Sequence, residues 1–555
     1  MRIIAVSFIF IIFCLFLMLA TNDIEISFTM NNNIFEFDSL YIITRINWTK
    51  TDTNDYNYLL GIFEGFNDPT FCDSMPIAMI KEENIKESDL NINVTSNIPY
   101  KYIRYIFPNN KSSSITPIKI YGYKYIKSNE ASQNLIFKPT NLPLIIINTE
   151  NSIEPTTKDV YINSNIIIVN ENNIQINETA RIKVRGHSTS SYVKKPFKIK
   201  FDKKQKILAF SGKYKNWVLL ANYLDKAVLR TSFAFYISRI IGLEYTPRCE
   251  SVDVILNGNF RGNYMICDQI EVKEGRVEIE EMTPDDITEP NITGGYLLEI
   301  DYRAPESGDK YLITNKGLRL GIKYPDSDDI TIEQENYIKK YLNDLEERIY
   351  NYNLSYIDEN SFYKYFLMQE FCADIDTVFS SFHIYKRRND IKLHFGPVWD
   401  YDLAFDNDIR LIPTNLKPKF AFYYGDTSGN AREIFTIILK TTNVIDNISQ
   451  TWIDLQNNGL NKETLINFIE DKKNLLMESA NLNFLRWYNS KIGKGIEEYS
   501  NAVDIIVNYI NLRFESLTRL IEKARNADKV NGYGYGALIF IFIFIFIIIL
   551  IFILI

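Results

Sequence analysis

Histidine is nearly missing from this chain: three residues in 555, His187, His383 and His394. A multi-histidine metal centre is thereby all but excluded. Positive charge is not in excess either. The 61 Lys+Arg stand against 69 Asp+Glu, a formal net charge of 61 − 69 = −8. A nucleic-acid binder needs surplus Lys and Arg to neutralise phosphates, so that class is disfavoured. No internal repeat and no low-complexity linker occurs. Hydrophobic residues at 46% and charged residues at 23% match ordinary globular usage, which argues against wholesale disorder. What is abundant is aromatic: Tyr 36 and Phe 36, residues that lean towards β-structure. The length suits two to four domains with sizeable cores. Whatever chemistry this chain performs must rest on carboxylates and lysines.

Both ends are apolar. Residues Met1–Ala20 carry Arg2, an almost unbroken apolar run and the small Ala20 ahead of Thr21-Asn22-Asp23. That layout predicts a secretory signal peptide cleaved after Ala20 or, uncleaved, a membrane anchor. Ala537–Ile555 consists only of Ala, Leu, Ile and Phe. As a helix it would span roughly 28 Å, about one hydrocarbon core. Small residues (Asn526-Ala527-Asp528) and the polar spacer Lys529–Gly536 precede it. The pattern is that of GPI attachment, with a tail-anchored helix as the alternative. Sequons at Asn47, Asn93, Asn110, Asn177, Asn291, Asn353 and Asn447 agree with passage through the secretory pathway. The expectation is a membrane-anchored glycoprotein at the cell surface.

Residues 21–137 alternate short apolar-aromatic runs, such as Tyr41–Ile46, Lys101–Phe107 and Ile115–Tyr125, with Asn, Asp and Pro punctuation. Strands at that spacing predict an all-β sandwich. Gly61–Asp68, Tyr100–Ile106 and Pro117–Gly122 resemble the middle hairpin and closing strands of discoidin-like modules. That resemblance implies a glycan or surface ligand without naming its residues.

From residue 141 the pattern turns to mixed α and β, and after about residue 430 to helix, as far as 525. Asp225 stands where an N-cap belongs, Leu229, Phe233, Ile237 and Ile240 mark an apolar face, and Gly242 ends it. Thr331 and Gln334 have capping-box spacing ahead of Ile338, Tyr341, Leu342, Leu345 and Ile349. Cys249 and Cys267 flank a predicted hairpin turning at Asn257-Gly258, which brings the thiols close together. Either a cross-strand disulfide or two free thiols follows.

Three clusters carry chemistry. The first is Arg185-Gly186-His187-Ser188-Thr189-Ser190 followed by Lys194-Lys195-Pro196-Phe197-Lys198-Ile199-Lys200. Small residues ahead of a lysine-bearing strand suit a polyphosphate cradle; an exposed lysine-rich strand is the bland alternative. The second holds the acidic pair Asp374 and Asp376, then a strand-like run containing Ser381. The third is Trp399-Asp400-Tyr401-Asp402 within an apolar, aromatic segment. A buried Asp400 without compensation would cost several kcal/mol, which points to Mg²⁺ or Mn²⁺ with phosphates completing its shell. Ordinary solvated aspartates in a turn are the other reading. Lysine-bearing strand, first Asp, strand, second Asp is the order found in kinase-like folds.

Ile182–Ser188, Lys194–Lys198, Asn216–Asp225, Leu256–Tyr264, Gly294–Asp301 and Trp399–Asp402 together resemble the CotH family of secreted, kinase-like proteins. The resemblance implies an α+β chain: an N-terminal all-β sandwich followed, over 141–525, by an atypical protein-kinase-like domain with a helical C-terminal part. It implies ATP-dependent phosphorylation of Ser or Thr on secreted or surface proteins, with Mg²⁺ or Mn²⁺. Asp376 matches the catalytic Asp, Asp400 the metal-binding Asp and Asp402 the second acidic position. Lys195 or Lys198 would meet the nucleotide phosphates, Arg185 lies in the first motif, and Asp268 stands where family members often carry a Glu that pairs with the lysine. Ser381 falls where Asn is common and would help to hold a second metal; a hydroxyl is the poorer ligand. His187 and Thr231 also replace common Asn residues. The alternative is a non-catalytic surface adhesin that keeps the fold.

Overall fold

The computed structural model describes residues 23–554 apart from 32, 51–56, 87–88, 109–117, 127–134, 172, 307, 409–430 and 489, with backbone alone beyond 526. The expected leader, 1–20, lies outside the described residues, as do the side chains of the expected tail, 537–555. Among the described residues no helix is long and apolar enough to cross a membrane. The chain divides into two compact units: 1–223 with 249–267 and 474–500, and 224–248 with 268–473 and 501–555.

The first unit opens with an eight-stranded sheet formed from residues 24–124. Its long strand Ile34–Thr49 changes partners midway. The first half lies between Phe28–Asn31 and Tyr100–Ile106, the second between Asp89–Asn93 and Ile118–Lys124. Next comes a closed seven-stranded barrel. Around it run Ile162–Asn170, Asn173–Val184, Phe197–Gln205, Tyr214–Leu220, Asn259–Asp268, Cys249–Leu256 and Leu144–Thr149. Leu144–Thr149 is buried along its whole length. Ile145 and Ile147 fill the barrel with Ile166, Ile168, Trp217 and Leu219. Leu144 and Ile146 face the other way and share a core with Trp48, Phe63 and Tyr105 of the first sheet. This explains why the compact unit does not divide at 137–141: a strand apolar on both faces binds the N-terminal sheet to the barrel.

The predicted hairpin is present. Asn257 and Gly258 take φ of 50° and 74°, as a two-residue primed turn requires. Cys249 sits opposite Cys267 in register, and no disulfide joins them.

The second unit centres on a five-stranded antiparallel sheet. In order, its strands are Tyr311–Ile313, Arg319–Tyr324, Tyr296–Ile300, Phe382–Lys386 and Leu393–Phe395. Helix Ile332–Tyr350 has the predicted capping box and buries Ile338, Tyr341, Leu342, Leu345 and Ile349. Helix Arg230–Ile241 ends, as predicted, at left-handed Gly242. Its face is completed by Ile241 rather than Ile240, and its N-cap is Leu229. The expectation of Asp225 as N-cap is therefore corrected. Asp225 lies one turn upstream and accepts the helix's first N–H, that of Arg230, at 2.7 Å.

Candidate active site

The two acidic segments leave the sheet and helices of the second unit at neighbouring points. Helix Glu359–Cys372 ends at left-handed Ala373, and the chain then turns through Asp374 and Asp376 before entering strand Phe382–Lys386. Asp376 anchors that turn, its carbonyl accepting the N–H groups of Phe379 at 2.8 Å and Ser380 at 3.2 Å. After Leu393–Phe395 the chain reaches Asp400, itself left-handed at φ 65°, then buried Tyr401 and Asp402. The bonds that hold this second turn include Phe405 N–H to the Cys372 carbonyl at 2.9 Å and Asn407 Nδ2 to the Asp402 carbonyl at 2.6 Å.

The aspartates lie within each other's electric field. Burial pushes Asp374 well above the usual carboxylate range, and the charges of Asp376, Asp400 and Asp402 push it further. Burial likewise raises Asp402, with Asp400, Asp225 and Asp376 adding to it, although some of its surface stays accessible. One arginine is close by. Arg230 is fully buried, pairs with Asp225 at 2.5 Å, and donates from Nε to the Ala404 carbonyl at 3.1 Å. Thus Asp225 and Arg230 tie the first helix to the turn carrying Asp400 and Asp402. Several carboxylates sharing one partly buried region repel one another, and a divalent cation would supply the missing charge. Hard oxygen donors fit Mg²⁺ or Mn²⁺. Among the described residues no three ligating side chains converge closely enough to hold a metal by themselves.

Asp376, Asp400 and Asp402 are therefore brought together. Asp374, half of the acidic pair in the second cluster, belongs with them, and so does Asp225, to which the sequence patterns gave no part in the site. The adjacency of Asp374 to Asp376 was the available clue; for Asp225 there was none, because its partners lie far along the chain. Ser381 is left-handed at φ 58°, and its N–H bonds to Glu299 Oε1 at 2.8 Å. Glu299 was likewise given no role from its motif.

Asp268 requires a correction. It was expected to pair with a lysine, but both of its oxygens are engaged by arginine. Arg248 grips it in a two-pronged fashion at 2.7 and 3.0 Å, and Arg276 adds a bond at 3.2 Å. A forked guanidinium satisfies a carboxylate better than a lysine ammonium does.

In the first unit, Lys195 donates to the carbonyls of Ser190 at 2.8 Å and Tyr192 at 3.4 Å, bracing the turn before its strand. Lys198 stands on the outward side of the barrel strand, in register with Lys183. Arg185 opens the turn, its N–H bonded to the Pro196 carbonyl at 3.1 Å. Gly186 is left-handed at φ 87°, and a Cβ there would lie 2.1 Å from Thr189 Oγ1, so only glycine fits.

A family model described as CotH kinase protein matches residues 182–517. No curated protein matches the chain. Among solved structures, CBM62 from Clostridium thermocellum Xyl5A is similar at 21% identity, over 16% of this chain and 68% of that one, with a TM-score of 0.15. At that score the likeness adds nothing to the discoidin-like expectation for residues 21–137.

Proposed function

From membership of the CotH kinase family, to which this chain belongs, we propose that it transfers the γ-phosphoryl group of ATP to Ser or Thr hydroxyls of secreted or cell-surface proteins. The observation that carries the reading is the shared acidic region of Asp374, Asp376, Asp400 and Asp402, inside the matched segment. In the transfer, the bond from the γ-phosphorus to the oxygen of the leaving ADP breaks, and the substrate hydroxyl oxygen bonds to phosphorus. Asp376 orients that hydroxyl and accepts its proton. Asp400 and Asp402 would hold the divalent cation, with Ser381 offering a weaker oxygen. When bound, the cation neutralises charge on the phosphates. Lys195 or Lys198 is assigned to the nucleotide phosphates, with Arg185 in the same motif. The Asp376 N–H donates to Asp374 Oδ1 at 3.3 Å, and this bond together with the crowding of negative charge orients Asp376 by restricting its turn.

The proposed setting is the secretory pathway and cell surface, with attachment through the apolar tail. The N-terminal sheet is left for a glycan or another surface ligand. The test is ATP binding and phosphotransfer by the purified protein with Mn²⁺ or Mg²⁺. Metal-dependent transfer that Asp376→Asn and Asp400→Asn each abolish supports the kinase. A wild type that binds no nucleotide with either metal overturns it and leaves an adhesin that uses the fold for protein binding.

A further inference from the structure

Two of the six residues from Asp376 to Ser381 are held in a backbone conformation they would not choose. Val378 and Ser381 have φ of 57° and 58°. For a β-branched residue such as Val378 this is a true outlier, and it persists only where surroundings enforce it. Within the turn, Thr377 N–H bonds to the Asp374 carbonyl and those of Phe379 and Ser380 to the Asp376 carbonyl, and none of these bonds reaches Ser381. Its far end is fastened from outside, by strand Tyr296–Ile300 and the residues that follow it.

Glu299 makes the main fastening. It sits in the central strand of the five, opposite Gly321 on one side and His383 on the other. Oε1 accepts the Ser381 N–H at 2.8 Å, and Oε2 is paired with Lys323 Nζ at 2.7 Å. A charged acceptor binds an N–H more strongly than a neutral carbonyl does, and Lys323 is what allows the charge to persist in this buried place. Three residues on, Tyr302 N–H donates to the Phe379 carbonyl at 2.7 Å. The two rings stack at 5.4 Å, and the Arg303 guanidinium lies 5.3 Å from the Phe379 ring. His383, cross-strand from Glu299, is buried, and burial lowers its pKa, so Lys323 at 2.7 Å is the first cation that answers the carboxylate.

We propose that Glu299 is a positioning residue: its carboxylate, held charged by Lys323, fixes the Ser381 end of the turn and thereby the placement of Asp376. The proposal rests on the kinase reading for the identity of the reaction, and on the hydrogen bonds above for the positioning itself. Its reach and its charge make separable predictions. Glu299→Gln keeps the length and an acceptor oxygen for Ser381 but loses the ion pair. Glu299→Asp keeps the charge but is one methylene too short for Ser381.

The experiment compares the full-length wild type with both variants, well below their melting temperatures. Hydrogen exchange is followed over residues 376–383, along with kcat and KM for ATP. With Glu299→Asp, we expect the Ser381 amide to exchange at least 10-fold faster and kcat to fall 10- to 100-fold, with KM for ATP within threefold. Glu299→Gln should be milder on both counts. The reverse order, with Gln the more damaging, would mean that the ion pair merely stabilises the sheet, and would overturn the proposal. Unchanged Ser381 exchange in both variants would also overturn it. Should the wild type prove unable to transfer phosphate, the kinase reading fails, and the exchange measurement still decides whether Glu299 holds the turn.

Discussion

Asp253 in the first compact unit and Asp374 in the second are both removed from water, yet their surroundings are opposite. Asp253 receives hydroxyl hydrogens from Thr140 at 2.5 Å and Ser479 at 2.6 Å. Ser479 in turn accepts from Asn263 at 3.0 Å. Lys194, buried nearby, donates to Asn483 at 2.8 Å and to the Asn263 carbonyl, with its ammonium 4.6 Å from the Tyr264 ring centre. Burial raises Asp253 to about 6, and the two hydroxyls hold it from rising further. The Asp374 carboxylate receives no hydroxyl hydrogen among the described residues, only the Asp376 N–H at 3.3 Å; after burial, the next influence is the charge of Asp376, and the charges of Asp400 and Asp402 add to it. A buried acid surrounded by neutral donors is part of the framework. One surrounded by other acids is a site that a cation completes. The lysine-rich motif divides in the same way: Lys194 is framework, Lys195 braces a turn, and Lys198 is the outward one.

The contrast can be broken most forcefully at the acidic region. Asp376→Asn should lower kcat by about 10²–10⁴-fold, the range for removing a general base. Its melting temperature should hold or rise, since a repelling charge is gone; a fall in melting temperature parallel to activity would make the region framework after all.

Next in size is the pH response of Asp253. Its folded value of about 6 lies above the 3.8 of an ordinary aspartate. Between those values the native state retains a proton that the unfolded chain has lost, so stability falls as pH rises through the window and stays lower above it. The loss is on the order of 3 kcal/mol for a shift of about two units. Urea unfolding at pH 4, 5, 6 and 7 should show Asp253→Asn flattening this decline. An unchanged slope would place the titration elsewhere.

A smaller effect tests the other side. Asp374→Asn removes one of several mutually repelling acids and should stabilise the metal-free protein by about 1 kcal/mol at pH 7, read from urea midpoints. Destabilisation would show that Asp374 already has what it needs. The smallest is Ser381→Asn. Asn tolerates the left-handed region better than Ser does, so the change should be neutral or stabilising by about 0.5 kcal/mol. It should also tighten Mn²⁺ binding in the presence of ATP, measured by calorimetry.

Where interactions span only a few residues, the sequence was a reliable guide. The Thr331–Gln334 capping box, the Gly242 terminus, the Asn257-Gly258 turn and the register of Cys249 with Cys267 all follow from propensities within a turn or a hairpin. The ordered motifs from Ile182 to Asp402 were equally legible, and with them the family. Three-dimensional packing decided the rest. Asp225 reaches the electric field of Asp402 across more than 170 residues of chain, and Glu299 reaches Ser381 across 82. Asp268 is held by arginines rather than by a lysine, and the N-terminal sheet joins the barrel through strands apolar on both faces. The physical reason is the same in each case. A side chain's type is written locally, but its charge state and partners depend on which distant groups the fold places beside it, and at what distance from water.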